Sequence, residues 1–200
     1  MDIRQASDAS LLVYLPDHRE VWRMMRALQG MGGVRNLHPA YASVLVDFDP
    51  RLREAGELRR QIEALPLASV ELPEPRLIEI PVRYGGWDLD DVARHNGLST
   101  DEVIAIHSGA EYVVYFLGFS PGFPYLGGMP EAIATPRLAA PRRMVPAGSV
   151  GIAGTQTGVY PVASPGGWRI IGRTGLALFD ALRDPPALLA AGDRVRFRPV

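Results

Sequence analysis

The stretch from Tyr115 to Thr174 constrains this chain more than any other part of it. It runs through Gly118-Phe-Ser-Pro-Gly-Phe-Pro-Tyr-Leu126, then Pro136-Arg137, Pro141-Arg142-Arg143 and Val145-Pro-Ala-Gly-Ser-Val150. It ends with Gly154-Thr-Gln-Thr-Gly-Val-Tyr-Pro161 and Ser164-Pro-Gly-Gly-Trp168. Proline lacks an N–H and glycine costs backbone entropy, so this segment cannot form a long helix. It reads as short strands joined by turns of defined shape. Rigid turns that set arginine, glutamine, serine and aromatic side chains side by side build concave polar sites.

The rest of the composition sets bounds around that segment. Two hundred residues allow one or two domains with a sizeable core. A net charge of −1, with both signs mixed, creates no field for nucleic acid or anionic lipid. Cysteine is absent, which removes disulfides, thiolate metal sites and cysteine nucleophiles and suits a reducing cytosol. Lysine is absent too, so neither Schiff-base chemistry nor a lysine phosphate clamp is available. The N-terminus has no long apolar run, and Tyr112–Phe119 is too short to span a bilayer. A soluble, cytoplasmic protein is expected.

Residues 1–75 read as an α+β unit. Leu11–Leu15 is a buried-strand run, and Asp17 with Glu20 forms a capping box before Val21, Trp22, Met25 and Leu28 at helical spacing. Val34–Leu37 and Tyr41–Phe48 are candidate strands. Asp49-Pro50 signals a helix over Arg51–Leu65. The order strand–helix–strand–strand–helix suggests a ferredoxin-like arrangement. The Pro-rich, acidic Glu71–Pro75 is the expected joint. Within 76–200, Leu77–Val82 is a strand, Asp88–Asn96 a helix closed by Gly97, and Ser99–Glu102 a second capping box. Beyond Tyr112 the pattern turns to β, apart from a short helix expected from Asp184-Pro185 through Leu189. Arg194–Arg198 alternates as a final strand. A closed or half-closed barrel fits this second part.

Several motifs admit two readings. Gly167–Thr174 matches the spacing of a phosphate loop with arginine in place of lysine, but its interior of Trp, Arg, Ile and Ile is strand material. His18, His38, His95 and His107 lack the spacing of a metal helix. His107 ends a helix just before the motif-rich segment, where the dipole favours a charged ring, and both a structural and a site role stay open. Arg137, Arg142 and Arg143 are either solvated loop residues or a fork for carboxylate or phosphate. Gln156 and Thr157 lie between glycines that let a substrate approach closely, and the glutamine offers a donor and an acceptor to an amide. Tyr115, Phe116, Phe119, Phe123, Tyr125 and Trp168 are core or interface aromatics first. Ser120 and Ser164 lack the strand–turn–helix setting of a serine nucleophile.

Taken in order, these motifs resemble one family: the B subunits of bacterial 5-oxoprolinase, also called allophanate hydrolase subunit 1 or the KipI family. The ending Ala191-Gly-Asp-Arg-Val-Arg-Phe197 fits it as well. The resemblance covers essentially the whole chain and is densest over its C-terminal part. It implies a ferredoxin-like α/β sandwich over 1–75 and a cyclophilin-like β-barrel over 76–200. It implies two partners, a KipA-like C subunit and the 5-oxoprolinase A subunit. Together they open 5-oxoproline to glutamate with ATP, at a site completed by a partner. Related domains handle urea or allophanate, and the KipI member is described as an inhibitor of a sporulation histidine kinase. The loop after Tyr84-Gly85-Gly86 is shorter than is usual in the family. The catalytic candidates are His107 as a proton carrier, Arg142 as an anion holder and Gln156 as the reader of the amide. The candidate substrate contacts are Phe119, Pro121, Gly122, Phe123, Tyr125, Arg137, Pro146, Tyr160, Ser164, Pro165, Gly166 and Trp168. No metal-ligand set is expected, and a cyclophilin-like fold does not by itself mean prolyl isomerase activity.

Overall fold

In the computed structural model, which describes residues 1–200, the chain folds as two units, Met1–Glu74 and Pro75–Val200. The first contains β1 (Asp2–Ser7), β2 (Ser10–Tyr14), α1 (His18–Leu28), β3 (Val34–Pro39), β4 (Ser43–Phe48) and α2 (Ala55–Glu63). The strands form one antiparallel sheet in the order β1-β2-β4-β3. Alternation on β4 buries Val44, Val46 and Phe48 on one face. Val21, Met24 and Leu28 of α1, at helical spacing, and Leu58 and Ile62 of α2 belong to the same core. Asp17 caps α1 by accepting from the backbone N–H of Arg19 (2.8 Å) and Glu20 (3.0 Å).

Two expectations for this unit are corrected. A ferredoxin-like order would supply an outer strand from the chain after the second helix, whereas here the outer strand beside β2 is β1, the N-terminal arm of a hairpin. The sequence predicts no strand there because Asp2–Ser7 is mostly exposed and carries little apolar alternation. The second helix also begins at Ala55, not at Arg51. Asp49 does close a turn, accepting from the Arg51 N–H at 3.0 Å, but its carboxylate also receives Arg35 and Arg51 guanidinium groups. That cap completes a turn and not a helix, and Leu52 is left exposed.

The second unit is a closed barrel of seven strands in the order β10-β7-β6-β13-β5-β12-β9. Those strands are β5 (Leu77–Tyr84), β6 (Glu111–Leu117), β7 (Pro124–Gly127), β9 (Ser149–Ala153), β10 (Gln156–Val159), β12 (Arg169–Arg173) and β13 (Arg194–Pro199). A separate two-stranded ribbon pairs β8 (Arg142–Val145) with β11 (Ser164–Gly166). Helices α3 (Leu89–Asn96) and α4 (Thr100–Gly109) follow β5. α3 ends on Gly97, at φ 67° and ψ 30°, as a left-handed cap demands. α4 starts on the full Ser99–Glu102 capping box. The barrel core gathers Ile80, Val82, Val114, Ile152, Ile171 and Phe197, all buried. No helix is long and apolar enough to cross a membrane.

The helix expected from Asp184 to Leu189 is absent. Pro186 directly follows Pro185 and disfavours helical backbone at that residue. The segment instead pairs with preceding chain: the Leu188 N–H donates to Leu178 O at 2.8 Å, and Phe179 bridges Ala187. Gly167–Thr174 contains strand β12, so the phosphate-loop spacing has no loop to act through.

Candidate functional site

A second, smaller cluster lies apart from the barrel core and collects Phe123, Val145, Ala153, Tyr160, Trp168 and Ile170, with Tyr125 packed against it. Its rings meet edge to face. Phe123 stands 5.3 Å from Tyr125, 5.3 Å from Tyr160 and 5.4 Å from Trp168 between centroids. Glycines make this packing possible. A Cβ at Gly158 would lie 2.9 Å from Pro124 O and 3.1 Å from the Trp168 ring, and one at Gly166 would overlap the Tyr160 hydroxyl.

These rings wall a cavity of about 250 Å³. It is lined by Phe119, Phe123, Tyr125, Arg137, Pro141, Tyr160, Pro165, Gly166, Gly167 and Trp168. Arg137 is the only charged residue among them, and no carboxylate lines the cavity. The size is below the roughly 300–1,000 Å³ of drug-sized sites, which suits a small ligand. Tyr160 is buried. Burial raises its pKa, so it stays a neutral phenol with an O–H to give.

Phe119 sits at φ 65°, the only non-glycine residue with a positive φ, and remains exposed while its ring faces Phe123 and Tyr160 at 5.4 and 6.5 Å. A bulky residue in that region is strained, and strain of this kind clusters at binding sites. Beside two lining residues, Ser120 Oγ and Ser164 Oγ are buried with no hydrogen-bond partner. Native structures leave few such groups without a reason.

One wall is clamped from outside. The Arg142 guanidinium forks onto the Asp88 carboxylate at 2.7 and 2.9 Å, and Asp88 also accepts from the Ile170 N–H at 2.7 Å. The arginine lies 5.2 Å from the Trp87 ring centre. Arg142 begins β8, which pairs through Gly166 with β11, so the clamp ties the ribbon bearing Pro165 and Gly166 to the barrel.

The structure thus brings Phe119, Phe123, Tyr125, Arg137, Tyr160, Pro165, Gly166 and Trp168 to one cavity and leaves the other candidates outside it. Pro121 and Gly122 form the turn behind Phe119, with Gly122 against Phe179. Pro146 follows β8 in the turn toward Ser149. Ser164 opens β11 opposite Val145. Arg142 is committed to Asp88. Gln156 stands at the turn end of the β9–β10 hairpin, opposite Ala153 and half-buried. Pro141 and Gly167 also line the cavity, although their motifs mark them only as turn residues. Asp88 reads in the sequence only as the start of a helix. A buried aspartate needing an arginine 54 residues away leaves no local mark.

His107 lies in the barrel interior, fully buried. Tyr84 Oη is 2.8 Å from Nδ1, and Thr157 Oγ1 is 2.9 Å from Nε2. Thr157 spends its own hydroxyl proton on Gly151 O at 3.0 Å. The tautomer follows: Nε2–H donates to Thr157, and Nδ1 accepts from Tyr84. Burial pushes the ring down to about 3, so it stays neutral at physiological pH. With both nitrogens engaged and no exposure, and outside the cavity lining, this geometry opposes the expected proton-carrying role. No group of three or more histidine, aspartate or glutamate side chains is placed to hold a metal ion.

The family model for the carboxyltransferase domain, subdomain C and D, matches residues 1–189. Over 202 aligned residues the chain is 48% identical to the 5-oxoprolinase B subunit of Escherichia coli O157:H7, covering 94% of this chain and 88% of that one. A crystal structure of TTHA0988 superposes with a TM-score of 0.87 at 38% identity; it covers all of this chain, which spans 40% of the solved one. The urea carboxylase of Kluyveromyces lactis, at 22% identity and a TM-score of 0.76, shares the fold over 99% of this chain and 21% of its own. The chain belongs to the carboxyltransferase-domain family, subdomain C and D, and within it to the B subunits of 5-oxoprolinase.

Proposed function

We propose that this chain is the B subunit of an ATP-dependent 5-oxoprolinase, which with the A and C subunits converts 5-oxo-L-proline to L-glutamate. The observation that carries this reading is the 48% identity to a 5-oxoprolinase B subunit over 94% of the chain. The aromatic cavity is the part of the chain suited to a small cyclic amide. Flat rings pack against the lactam ring, and the surrounding wall excludes water. A lactam is a poor electrophile, and its opening consumes one ATP and two waters to give glutamate, ADP and phosphate.

The residues of this chain do not fit ATP. It has no lysine, its one loop-like spacing is a strand, and no acidic cluster is placed to hold magnesium. The nucleotide therefore belongs to a partner. A KipA-like C subunit completes the site, and ATP use assigns the complex to the cytoplasm. His107 contributes a fixed core, not proton transfer.

The test is ATP hydrolysis by the chain co-expressed with its C subunit and mixed with the A subunit. Strong stimulation by 5-oxoproline together with glutamate release is expected. A stable complex that 5-oxoproline fails to stimulate would overturn the reading and turn attention to urea, allophanate or regulation of a kinase.

A further inference from the structure

The cavity lining is mostly aromatic and apolar, and its charge is of a single sign. Arg137 is its only charged lining residue, and it takes part in none of the chain's salt bridges. The neighbouring Arg142 differs, because Asp88 neutralises it through two hydrogen bonds. Arg137 and Tyr160 line the same cavity, and the guanidinium charge acts on the tyrosine hydroxyl. A phenol can donate its proton to an anion, and burial keeps this one protonated. It packs directly against Gly166, where a side chain would overlap it, and both residues line the cavity. A guanidinium without an ion pair and a phenolic O–H in one aromatic-walled cavity are a donor set for an anion on a small flat molecule.

We propose that Arg137 and the Tyr160 hydroxyl bind the carboxylate of a small cyclic amide acid whose ring rests on Phe123, Tyr125 and Trp168. The choice of the amide acid rests on the 5-oxoprolinase reading; the carboxylate clamp rests on the cavity itself. The pair selects the acid over the bare lactam, because a ligand without the anion leaves Arg137 with nothing to hold. Arg137 binds as a two-pronged fork, so lysine replaces it only in part.

Two measurements test the assignment. In the assembled complex, Arg137→Gln should raise KM for 5-oxoproline by roughly 10- to 100-fold and leave kcat within a few-fold, the cost of one charge-assisted contact. Tyr160→Phe should raise KM by about 5-fold, and Arg137→Lys should recover part of the loss. Unchanged KM in the glutamine and phenylalanine variants would overturn the clamp. Independently, calorimetric titration of the full chain compares 5-oxo-L-proline, cyclopentanecarboxylate, 2-pyrrolidinone and inorganic phosphate. Binding of the two carboxylates, weak or absent binding of 2-pyrrolidinone, and loss of the carboxylate signal in Arg137→Gln would support the clamp even if the complex proves not to be a 5-oxoprolinase. Equal binding of 2-pyrrolidinone and 5-oxo-L-proline would overturn it, as would phosphate binding as tight as carboxylate. No carboxylate binding by the chain, together with unmoved KM values, would do so as well.

Discussion

Inside the barrel, His107 is stacked 4.5 Å from Phe197 and flanked by Tyr84 and Tyr112; at the cavity, Arg137 and Tyr160 share a lining with Phe123, Tyr125 and Trp168. Both places set polar groups among aromatic rings. They differ in how the polar groups are satisfied. His107 has a partner on each nitrogen, and even its carbonyl accepts from the Tyr112 hydroxyl at 2.7 Å. The cavity keeps a guanidinium without a carboxylate and a strained phenylalanine, and the Ser120 and Ser164 hydroxyls next in the chain to lining residues have no partner. A closed hydrogen-bond circuit fixes a core, whereas an open one has capacity left for a ligand. By that criterion the histidine, the residue type most often suspected of chemistry, is the structural one here.

The most disruptive change on the closed side is His107→Leu. It leaves the Tyr84 and Thr157 hydroxyls buried without their partner, and each such group costs about 1–3 kcal/mol. A loss of about 3–5 kcal/mol is expected, read as a lower urea midpoint at unchanged slope. His107→Gln, which can keep one donor, should lose less. An equally small loss in both variants would mean that the circuit does not bear the stability assigned to it.

Asp88→Ala tests the clamp on the open side. Removing one partner of a well-buried pair costs about 3–5 kcal/mol, but Arg142 is 26% exposed and can turn to water. About 2 kcal/mol is expected, with a rise in KM for 5-oxoproline as the ribbon bearing Pro165 and Gly166 loosens. Stability lost with KM unmoved would separate the clamp from the cavity.

Acid should expose the closed region specifically. The folded ring sits at about 3 and the unfolded one near 6.5, so the unfolded state binds the extra proton between those values. The stabilisation from keeping His107 neutral is fully present above about pH 6.5 and declines as pH falls toward 3, by about 1.4 kcal/mol per pH unit. Urea unfolding at pH 7 and pH 5 should show this slope in the native chain and a shallower one in His107→Gln. Parallel slopes would place the acid sensitivity elsewhere.

What can be read in the sequence divides along similar lines. Ser99 and Glu102 announce α4 because a capping box is complete within four residues. The alternation of Arg194–Arg198 announces β13, and the Gly/Pro-rich segment announces short strands around a concave site. The aromatic members of the cavity are visible because they fall in that one segment. Partnerships across distance are not. Nothing near Asp88 reveals Arg142, and nothing near His107 reveals that Tyr84 and Thr157 close on it. The Asp184-Pro185 signal misleads for the same reason, since the segment is held by pairing with Leu178 and Phe179 and not by its own turns. Local chemistry writes the caps and turns, while satisfaction of buried polar groups is settled only in three dimensions.

The smallest expected effect on stability belongs to Phe119→Gly, and it bears most directly on the difference between the two regions. Phe119 is exposed and held at φ 65°, so it contributes little burial while its backbone carries strain. Glycine adopts that conformation freely but gains entropy in the unfolded chain, and the two terms nearly cancel. A change within about 1 kcal/mol is expected, in contrast to the loss at His107. Affinity should fall nonetheless, because the ring that faces Phe123 and Tyr160 is removed from the cavity lining. A several-fold higher KM for 5-oxoproline at nearly unchanged stability would show that the strain is kept for binding. A clear loss of stability with affinity intact would make Phe119 a packing residue and would leave the cavity without its strained member.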